Sequence, residues 1–414
     1  MCFPAQLTSY LLPGLRSLIT RLALSSSLAV LTSSVAAQET HRDGELYRRD
    51  SCKVRLSPPQ LVQRSPRFLW FPSMHHRGND RLVALLSTYA DQAQENTSGV
   101  IIFSDDGGVS WSKPLAGPYC EMVIDQPDGS LLLLPYYLRF ESEGRATGSA
   151  QRIAKEAKTF QRIKEPVVVT GWPRNIGLLD ADLGKPKAEW KLASFVFNGQ
   201  SVRSSDSKSH LATLYGRFAG TKCFSLVLAE STDGLKWNIR SIIADETCKL
   251  PGKEGPCESA LVRLKDGRLL CVFRLDSEVP YGHSFSQNDG KSWSKPQSLD
   301  GLLSVQPSLA VSAEGKILLT GGRPGLFLWL NRKGDALRWD KIDLQAHHNK
   351  YIKKEPILKA AAFFESDTSC YTEVRWLDDK RFVVLYDRLA NGWKAIPADS
   401  KATNSVWIVH GRME

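Results

Sequence analysis

The sequence lacks the short motifs that mark the commonest metal and redox sites. Its 414 residues contain no CxxC pair and no HExxH motif, which argues against a zinc ribbon, a thioredoxin-like site and a zinc peptidase. Two histidine doublets, His75-His76 and His347-His348, are present, but neighbouring side chains on a strand point to opposite faces. We therefore expect no metal site and no cofactor.

Cysteine is present in a number that does not favour a disulfide framework. Of the eight cysteines, seven follow residue 37, and an odd number cannot all pair within one chain. Cys248 and Cys257 flank a short loop and can pair if the compartment is oxidising. We expect the remaining cysteines to be buried free thiols.

Runs of like charge are also missing. Lysine and arginine outnumber aspartate and glutamate by 54 to 44, for a formal net charge of +10, but the basic residues are scattered along the chain. This distribution indicates a general attraction for anionic ligands and not a nucleic-acid-binding surface. With 42% hydrophobic and 24% charged residues, the composition is that of an ordinary globular protein.

Long apolar runs are absent except near the N-terminus. Arg16 and Arg21 precede the apolar run 22–31, and residues 34–37 read SVAA, which fits a signal-peptidase site. We predict a removed signal peptide over 1–37 and a secreted or periplasmic protein. The alternative is an uncleaved anchor, although the run is short for a membrane span. Residues 38–65 are expected to form a polar, irregular N-terminal extension.

A repeated turn is the most informative feature that the sequence does contain. Ser104 to Trp111 reads SDDGGVSW after a β-branched, aromatic run, and Ser, Asp and Gly there suit a tight hairpin turn. Trp111 is expected to begin the return strand and to fold its ring over the turn. Good copies occur at 231–237 and 286–293, and faint ones at 148–160 and 331–339.

The repeat divides the chain into units of about four strands each. These units are 67–111, 120–160, 172–243, 256–298, 303–345 and 369–412. Six such units predict an all-β fold, a six-bladed β-propeller of four-stranded antiparallel blades over 66–412. A pair of β-sandwiches is the alternative, but it would not explain the repeat.

This arrangement resembles the sialidase (neuraminidase) family, whose six-bladed catalytic domain carries Ser-x-Asp-x-Gly-x-[Ser/Thr]-Trp boxes on its outer hairpins. The resemblance covers roughly residues 66–412. The boxes themselves are turn architecture and carry no chemistry. More specific is the stretch from Glu258 to Arg274, because sialidases place a Glu at the start of an inner strand and an Arg about fifteen residues later.

The resemblance implies roles for further residues. Tyr371 matches the nucleophile, which Glu258 assists, and Arg274 and Arg323 match two members of the arginine triad that binds the substrate carboxylate. Bidentate binding of a carboxylate suits a planar guanidinium. Asp387 matches an acid that orients a triad arginine, and Asp91 is the best candidate for the acid/base.

The match departs from the family pattern on the first strand. Where sialidases have Arg-Ile-Pro, this sequence has Trp70-Phe71-Pro72, so Trp70 replaces the first triad arginine. Arg67 lies an odd number of positions away and should face the other side of a regular strand. Glu121, Asp180 and Asp182 are alternative general acids if the substrate is not a sialic acid.

Two functions from different classes therefore remain. The first is a secreted sialidase-like exo-glycosidase that hydrolyses a terminal acidic sugar from a glycan or glycoconjugate. The second is a non-catalytic propeller that binds glycan or protein on the same rim, because one scaffold hosts both activities. The two differ in whether Tyr371, Glu258, Arg274 and Arg323 converge on one pocket with a carboxylate opposite.

Overall fold

The structure is a computed structural model that describes residues 44–49, 52–93, 98–179, 191–358, 366–369 and 371–414. The signal peptide expected over 1–37 lies outside these residues. Within them the fold is all-β, as predicted, and its strands form a propeller-like arrangement of sheets around a central channel.

The segment before residue 66 forms three strands instead of an irregular extension. These are β1 (Glu45–Arg48), β2 (Lys53–Leu56) and β3 (Gln60–Ser65). The expectation of irregular structure was wrong because this polar segment also carries buried apolar residues such as Val54 and Leu56, each 0% exposed.

The first complete blade follows as a four-stranded antiparallel sheet in chain order. Its strands are β4 (Trp70–His76), β5 (Leu82–Ser87), β6 (Ser98–Ser104) and β7 (Leu115–Pro118). The repeated turn joins β6 to β7. The return strand therefore begins four residues after Trp111, later than expected.

Side-chain hydrogen bonds hold this turn closed. Ser104 Oγ donates to Asp106 Oδ1 at 2.8 Å and accepts from the N–H of Gly108 at 2.8 Å, while Asp106 Oδ1 also accepts from the N–H of Ser110 at 2.9 Å. Trp111 Nε1 donates to the carbonyl oxygen of Gly108 at 3.1 Å, so the ring folds over the turn. The copy at 286–293 repeats the bonds of the Ser and Asp positions, with Asn in place of Asp, but its Trp293 Nε1 donates to Ser241 Oγ.

The next nine strands belong to one sheet. They are β8 (Val123–Asp125), β9 (Leu131–Leu133), β10 (Tyr137–Ser142), β11 (Arg145–Ile153), β12 (Phe160–Thr170), β13 (Leu192–Arg203), β14 (His210–Gly216), β15 (Ser225–Ser231) and β16 (Lys236–Ala244). Seven of them, β10 to β16, close on themselves, and β9 and β8 extend the sheet outward from β11.

This sheet overturns the prediction of six separate blades. β12 pairs in parallel with β16, and β10 pairs with both β11 and β13, which closes the strands from β10 to β16 into a barrel. The described part of the chain therefore has four blades and one barrel. β11 and β12 are 9 and 11 residues long, so their ends extend past a blade edge and pair with the neighbouring unit.

Two four-stranded antiparallel blades come next. The first contains β17 (Ser259–Arg263), β18 (Leu269–Phe273), β19 (Gly282–Ser286) and β20 (Gln297–Ser298). The second contains β21 (Ser308–Val311), β22 (Ile317–Gly321), β23 (Phe327–Asn331) and β24 (Asp340–Asp343).

Helix α1 (Leu344–Tyr351) follows, with Asp343 as its N-cap. The second histidine doublet lies on this helix and not on a strand as assumed. Both rings are buried against the N-terminal strands and the last sheet: Tyr47 and His347 share a hydrogen bond of 2.9 Å, and Tyr386 and His348 share another of 2.9 Å. These histidines are therefore part of the packing between sheets.

The last blade joins the two ends of the chain. β25 (Thr372–Trp376), β26 (Arg381–Arg388) and β27 (Asn404–Met413) form its inner part. β27 then pairs with β2 and β3 from the N-terminal segment. The N-terminal strands thus complete the final sheet and close the ring.

The innermost strands bring their starting ends together. β25 lies against β4 and β21, and β17 lies against β13 and β21. Because these neighbours surround one axis, residues just before each inner strand and just after each second strand meet at one mouth of the channel. That mouth holds most of the residues singled out from the sequence.

Candidate active site

A cavity of about 450 Å³ opens at this mouth. Its walls include five of the six residues predicted to form the site, namely Tyr371, Glu258, Arg274, Arg323 and Asp91. The convergence follows from the fold, because each of these residues lies at the end of an inner or second strand or in the loop beyond it.

Tyr371 and Glu258 are in direct contact although they are far apart in the sequence. Tyr371 immediately precedes β25 and Glu258 immediately precedes β17, and both are buried, at 8% and 6% exposure. The Tyr371 hydroxyl donates a short hydrogen bond to Glu258 Oε1. The carboxylate is therefore positioned to accept the phenolic proton.

Glu258 remains acidic in spite of its burial. Burial alone would raise the pKa of its carboxyl group, but the charge of Arg274 and hydrogen bonds from Tyr371 and the N–H of Gln306 outweigh burial and lower the pKa. Arg274 Nη1 lies 3.0 Å from Oε1, and the N–H of Gln306 lies 2.9 Å from Oε2. An ionised Glu258 is what a base for Tyr371 requires.

Arg274 is held on its other side by a residue that the sequence did not indicate. Its Nη2 lies 2.9 Å from Oε1 and 2.8 Å from Oε2 of Glu254, and 3.2 Å from the hydroxyl of Ser277. Glu254 lies in the loop before β17, outside every motif that could be recognised.

Arg323 reaches the same cavity from the end of β22. Its side chain is buried, and its guanidinium carbon lies 5.2 Å from the centroid of the Trp393 ring. A cation against an aromatic face is stabilised by the ring quadrupole. Arg323 thus adds positive charge to the wall that Arg274 occupies.

Asp91 lies on the cavity wall in the loop after β5. The residue is exposed to solvent at the cavity mouth, and desolvation by the surrounding protein, together with the negative charge of Glu258, raises its pKa to about 6. The charges of Arg323 and Arg274 oppose this rise. A carboxyl group with this pKa can be protonated in mildly acidic solution and ionised at higher pH, which an acid/base catalyst requires.

Asp387 lies at the end of β26, behind the cavity. It is fully buried, and its two oxygens accept from the N–H of Tyr371 at 3.1 Å and from the N–H of Phe71 at 3.0 Å. The carboxylate therefore fixes the backbone of Tyr371 relative to the first blade. Its predicted role, to orient a triad arginine, stays a prediction.

The backbone at Trp70, the residue that replaces the first triad arginine, departs from a regular strand. The pairing of β4 with β5 is irregular between Trp70 and Ser73, and Phe71 has a φ of 50°. This bulge buries Trp70 completely and lets Phe71 line the cavity. Period-two alternation could not reveal it, because a positive φ at a phenylalanine is rare.

Three aromatic rings form a wall beside the nucleophile candidate. Phe71 stacks on Trp70 at 4.3 Å between centroids and lies 4.7 Å from the ring of Tyr371. Trp393 contacts Trp70 and Phe71 edge-on, at 5.6 and 6.0 Å. An apolar wall thus stands where the resemblance led us to expect a position for an arginine, and nothing in the sequence indicated that Trp393 would join it.

Of the alternative acids, only Glu121 is described. It also lines the cavity, and it accepts from the Tyr119 hydroxyl at 3.0 Å and from Asn198 Nδ2 at 2.6 Å. Burial raises its pKa to about 8, and the charges of Glu258 and Glu373 add to the rise. Asp180 and Asp182 lie outside the described residues, and Arg67 is exposed at the surface.

Other expectations concern the chain as a whole. Cys248 and Cys257 are free thiols, and Cys257 is buried beside Arg274. Among the described residues, no group of three or more His, Cys, Asp or Glu side chains is arranged to hold a metal ion. In the same part of the chain, no helix is both long and apolar enough to cross a membrane.

Comparison with known proteins finds relatives by structure only. No protein-family profile matches the sequence, and no curated protein does. A protein of unknown function from Dyadobacter fermentans has a TM-score of 0.62 at 15% identity over 87% of this chain and 99% of its own. The Hadza microbial sialidase Hz136 has a TM-score of 0.54 at 12% identity, over 84% of this chain and 65% of its own.

A third similar structure is the K499G mutant of the NanB sialidase from Streptococcus pneumoniae. Its TM-score is 0.53 at 12% identity, over 86% of this chain and 70% of its own. Identities this low show a shared fold and no more. The chain therefore has a sialidase-like fold.

Proposed function

We propose that this protein is a sialidase-like glycoside hydrolase that removes a terminal acidic sugar from glycans or glycoconjugates, with Tyr371 as its nucleophile. The observation that carries the proposal is the hydrogen bond from the Tyr371 hydroxyl to Glu258 in a cavity that also contains Arg274, Arg323 and Asp91.

The reaction we propose has two steps. In the first, Tyr371 Oη attacks the anomeric carbon and passes its proton to Glu258, while protonated Asp91 gives a proton to the departing glycosidic oxygen. A covalent glycosyl-tyrosine results. In the second step, ionised Asp91 takes a proton from water, the water oxygen attacks the anomeric carbon, and Tyr371 leaves and regains its proton from Glu258.

A phenol suits a substrate that carries a carboxylate beside the reacting carbon. An aspartate or glutamate nucleophile would be repelled by that carboxylate, whereas Tyr371 approaches as a neutral hydroxyl and loses its proton only as the bond forms. Arg323 adds positive charge to the cavity wall, which favours an anionic glycone, whereas the charge of Arg274 is shared with Glu258 and Glu254.

The test is the release of a fluorogenic leaving group from a panel of acidic-sugar glycosides. We expect hydrolysis by the unmodified protein and the loss of at least about 10²-fold in kcat for Tyr371→Phe, because no hydroxyl remains to attack. Tyr215→Phe is the matched control, since Tyr215 lines the same cavity and its hydroxyl bonds only to another tyrosine, Tyr136, among the contacts resolved. Equal turnover by Tyr371→Phe and the control contradicts the mechanism.

Non-catalytic glycan binding is the second candidate, and it is favoured by Phe71 and Trp393, the two rings of the aromatic wall that line the cavity, because aromatic rings offer large apolar faces against which a sugar ring can pack. This function predicts retained glycan binding without turnover in the unmodified protein. Detectable hydrolysis that depends on Tyr371 excludes it.

We also propose that the protein is secreted or periplasmic after removal of residues 1–37, because of the apolar run and the SVAA sequence. Mass spectrometry of the N-terminal peptide of the exported protein tests this. A mature chain that begins at Gln38 supports the proposal, and a chain that retains residues 1–37 contradicts it.

A further inference from the structure

Arg274 is the cavity arginine whose bonding is best defined. Its side chain is buried, and each of its two terminal nitrogens bonds to a carboxylate: Nη1 to Glu258 at 3.0 Å, and Nη2 to Glu254 at 2.8 Å. These nitrogens are also the donors that a guanidinium uses to bind a carboxylate in a bidentate manner. A ligand carboxylate at this position must therefore compete with groups of the protein itself.

The two carboxylates differ in their surroundings. Both line the cavity, but Glu258 is 6% exposed and also bonds to Tyr371, whereas the side chain of Glu254 is 33% exposed. Glu254 is thus the group that lies between Arg274 and an incoming ligand.

The loop that carries Glu254 is anchored at several points. The Glu254 carbonyl oxygen accepts from the N–H of Phe224 at 2.8 Å, and the N–H of Lys253 donates to Asp276 Oδ2 at 3.1 Å. Gly255 has a φ of +86°, and a Cβ there would lie 2.8 Å from the Phe224 carbonyl oxygen. These contacts fix the backbone of Glu254 beside Arg274, so that the Glu254 side chain reaches the guanidinium without a rearrangement of the loop.

The net charge around Arg274 depends on both glutamates. Burial raises the pKa of the Glu254 carboxyl group, and the charge of Arg274 opposes this rise. When Glu254 is ionised, Arg274 and its two glutamates together carry a charge of −1, which leaves Arg323 as the positive group on this wall. Because like charges at this range repel even at a high effective dielectric constant, Glu254 weakens the binding of an acid group at Arg274.

We propose that Glu254 is a specificity-determining residue that occupies the carboxylate position of Arg274 and weakens the cavity's selection for a glycone carboxylate. This inference rests on the proposed function, because it assumes that a sugar binds in this cavity. It adds a second departure from an acid-binding site to the replacement of the first triad arginine by Trp70. Arg274, which matches another triad arginine, is already bonded to Glu254.

The experiment measures binding, so that it does not depend on turnover. Isothermal titration calorimetry compares a 2,3-unsaturated sialic acid with its methyl ester, for the unmodified protein, Glu254→Gln and the control Glu278→Gln. Glu278 is exposed in the loop after β18, and its substitution removes the same charge. We expect Glu254→Gln to lower the Kd of the acid by about tenfold or more, with little change for the ester and none for Glu278→Gln.

Three results overturn the inference. These are an unchanged or weaker affinity of Glu254→Gln for the acid, an equal gain for acid and ester, or no binding of either ligand to Glu254→Gln. The proposed hydrolysis has a separate readout, which is turnover. If no turnover is found but Glu254→Gln gains affinity for the acid alone, the mechanism at Tyr371 is rejected and the role of Glu254 is supported.

Discussion

The proposed mechanism sets the pH dependence of hydrolysis. It requires Glu258 to be ionised, so that it can accept the proton of Tyr371, and Asp91 to be protonated, so that it can donate to the leaving oxygen. The pKa of Glu258 is lowered from its usual 4.5, and the pKa of Asp91 is raised to about 6. Activity should therefore fall above pH 6, where Asp91 loses its proton, and on the acidic side it should decline only below the usual pKa of a glutamate carboxyl group, where Glu258 takes up a proton.

The size of the alkaline fall follows from the pKa of Asp91. With a pKa of about 6, roughly ten in eleven Asp91 side chains are protonated at pH 5 and roughly one in eleven at pH 7. The value of kcat/KM, which reports the free enzyme, should consequently fall about tenfold between these two values. A leaving group of high pKa shows the effect best, because an acidic phenol needs little protonation.

The assay is kcat/KM from pH 4 to pH 9 for the unmodified protein, Asp91→Asn and Glu121→Gln. Asp91→Asn should lower kcat/KM by about 10²- to 10⁴-fold and remove the alkaline fall, whereas Glu121→Gln should keep it. Because Glu121 has a pKa of about 8, a fall near pH 8 that disappears in Glu121→Gln would assign the acid to Glu121. A profile that is flat from pH 5 to pH 7, or an unchanged fall in Asp91→Asn, refutes the role of Asp91.

Three further predictions concern the frame and the aromatic wall. Burial lowers the pKa of His348 from 6.5 to about 4, so the unfolded state takes up a proton at a higher pH than the folded state does. About 3 kcal/mol of the free energy of unfolding should therefore be lost as the pH falls from 7 to 4. Urea unfolding at the two pH values should show this loss, and His348→Phe should reduce it. Leu56→Ala should cost about 2–5 kcal/mol, because Leu56 is fully buried where β2 joins β27, whereas Lys53→Ala, an exposed control on the same strand, should leave the melting temperature nearly unchanged. Trp393→Ala should raise KM with a smaller effect on kcat, since the ring covers Arg323 and borders Phe71; a loss confined to kcat would contradict this role in binding.

Much of the site could be anticipated because its residues lie at fixed points of repeated strands. Glu258 and Tyr371 each stand directly before an inner strand, so once the strands are placed around a channel, the two must approach the same mouth. Glu254 could not be anticipated in this way, because its position depends on a loop whose path is set by Gly255 and by contacts with the neighbouring Phe224. Sequence periodicity predicts which face of a sheet each strand residue occupies. It does not predict the conformation of such a loop.

The blade count failed for a related physical reason. The repeated turn marks where two strands meet, but it does not say how far those strands continue past the sheet edge. In β11 and β12 they continue far enough for β12 to reach β16, and β10 fills the remaining gap. Unpaired backbone groups at an edge are satisfied by any strand in register, so two units with the right number of strands merged into one closed sheet.

The bulge at Phe71 changes the meaning of the missing arginine. A regular strand would leave a hole or an apolar side chain where the triad arginine should be, with the rest of the acid site intact. Here the backbone itself turns: Asp387 binds the N–H groups of Phe71 and Tyr371, and this shared acceptor joins the aromatic wall to the nucleophile candidate. Trp70→Arg alone should therefore not strengthen carboxylate binding, because the side chain at position 70 is fully buried and Arg274 would still be held by Glu254.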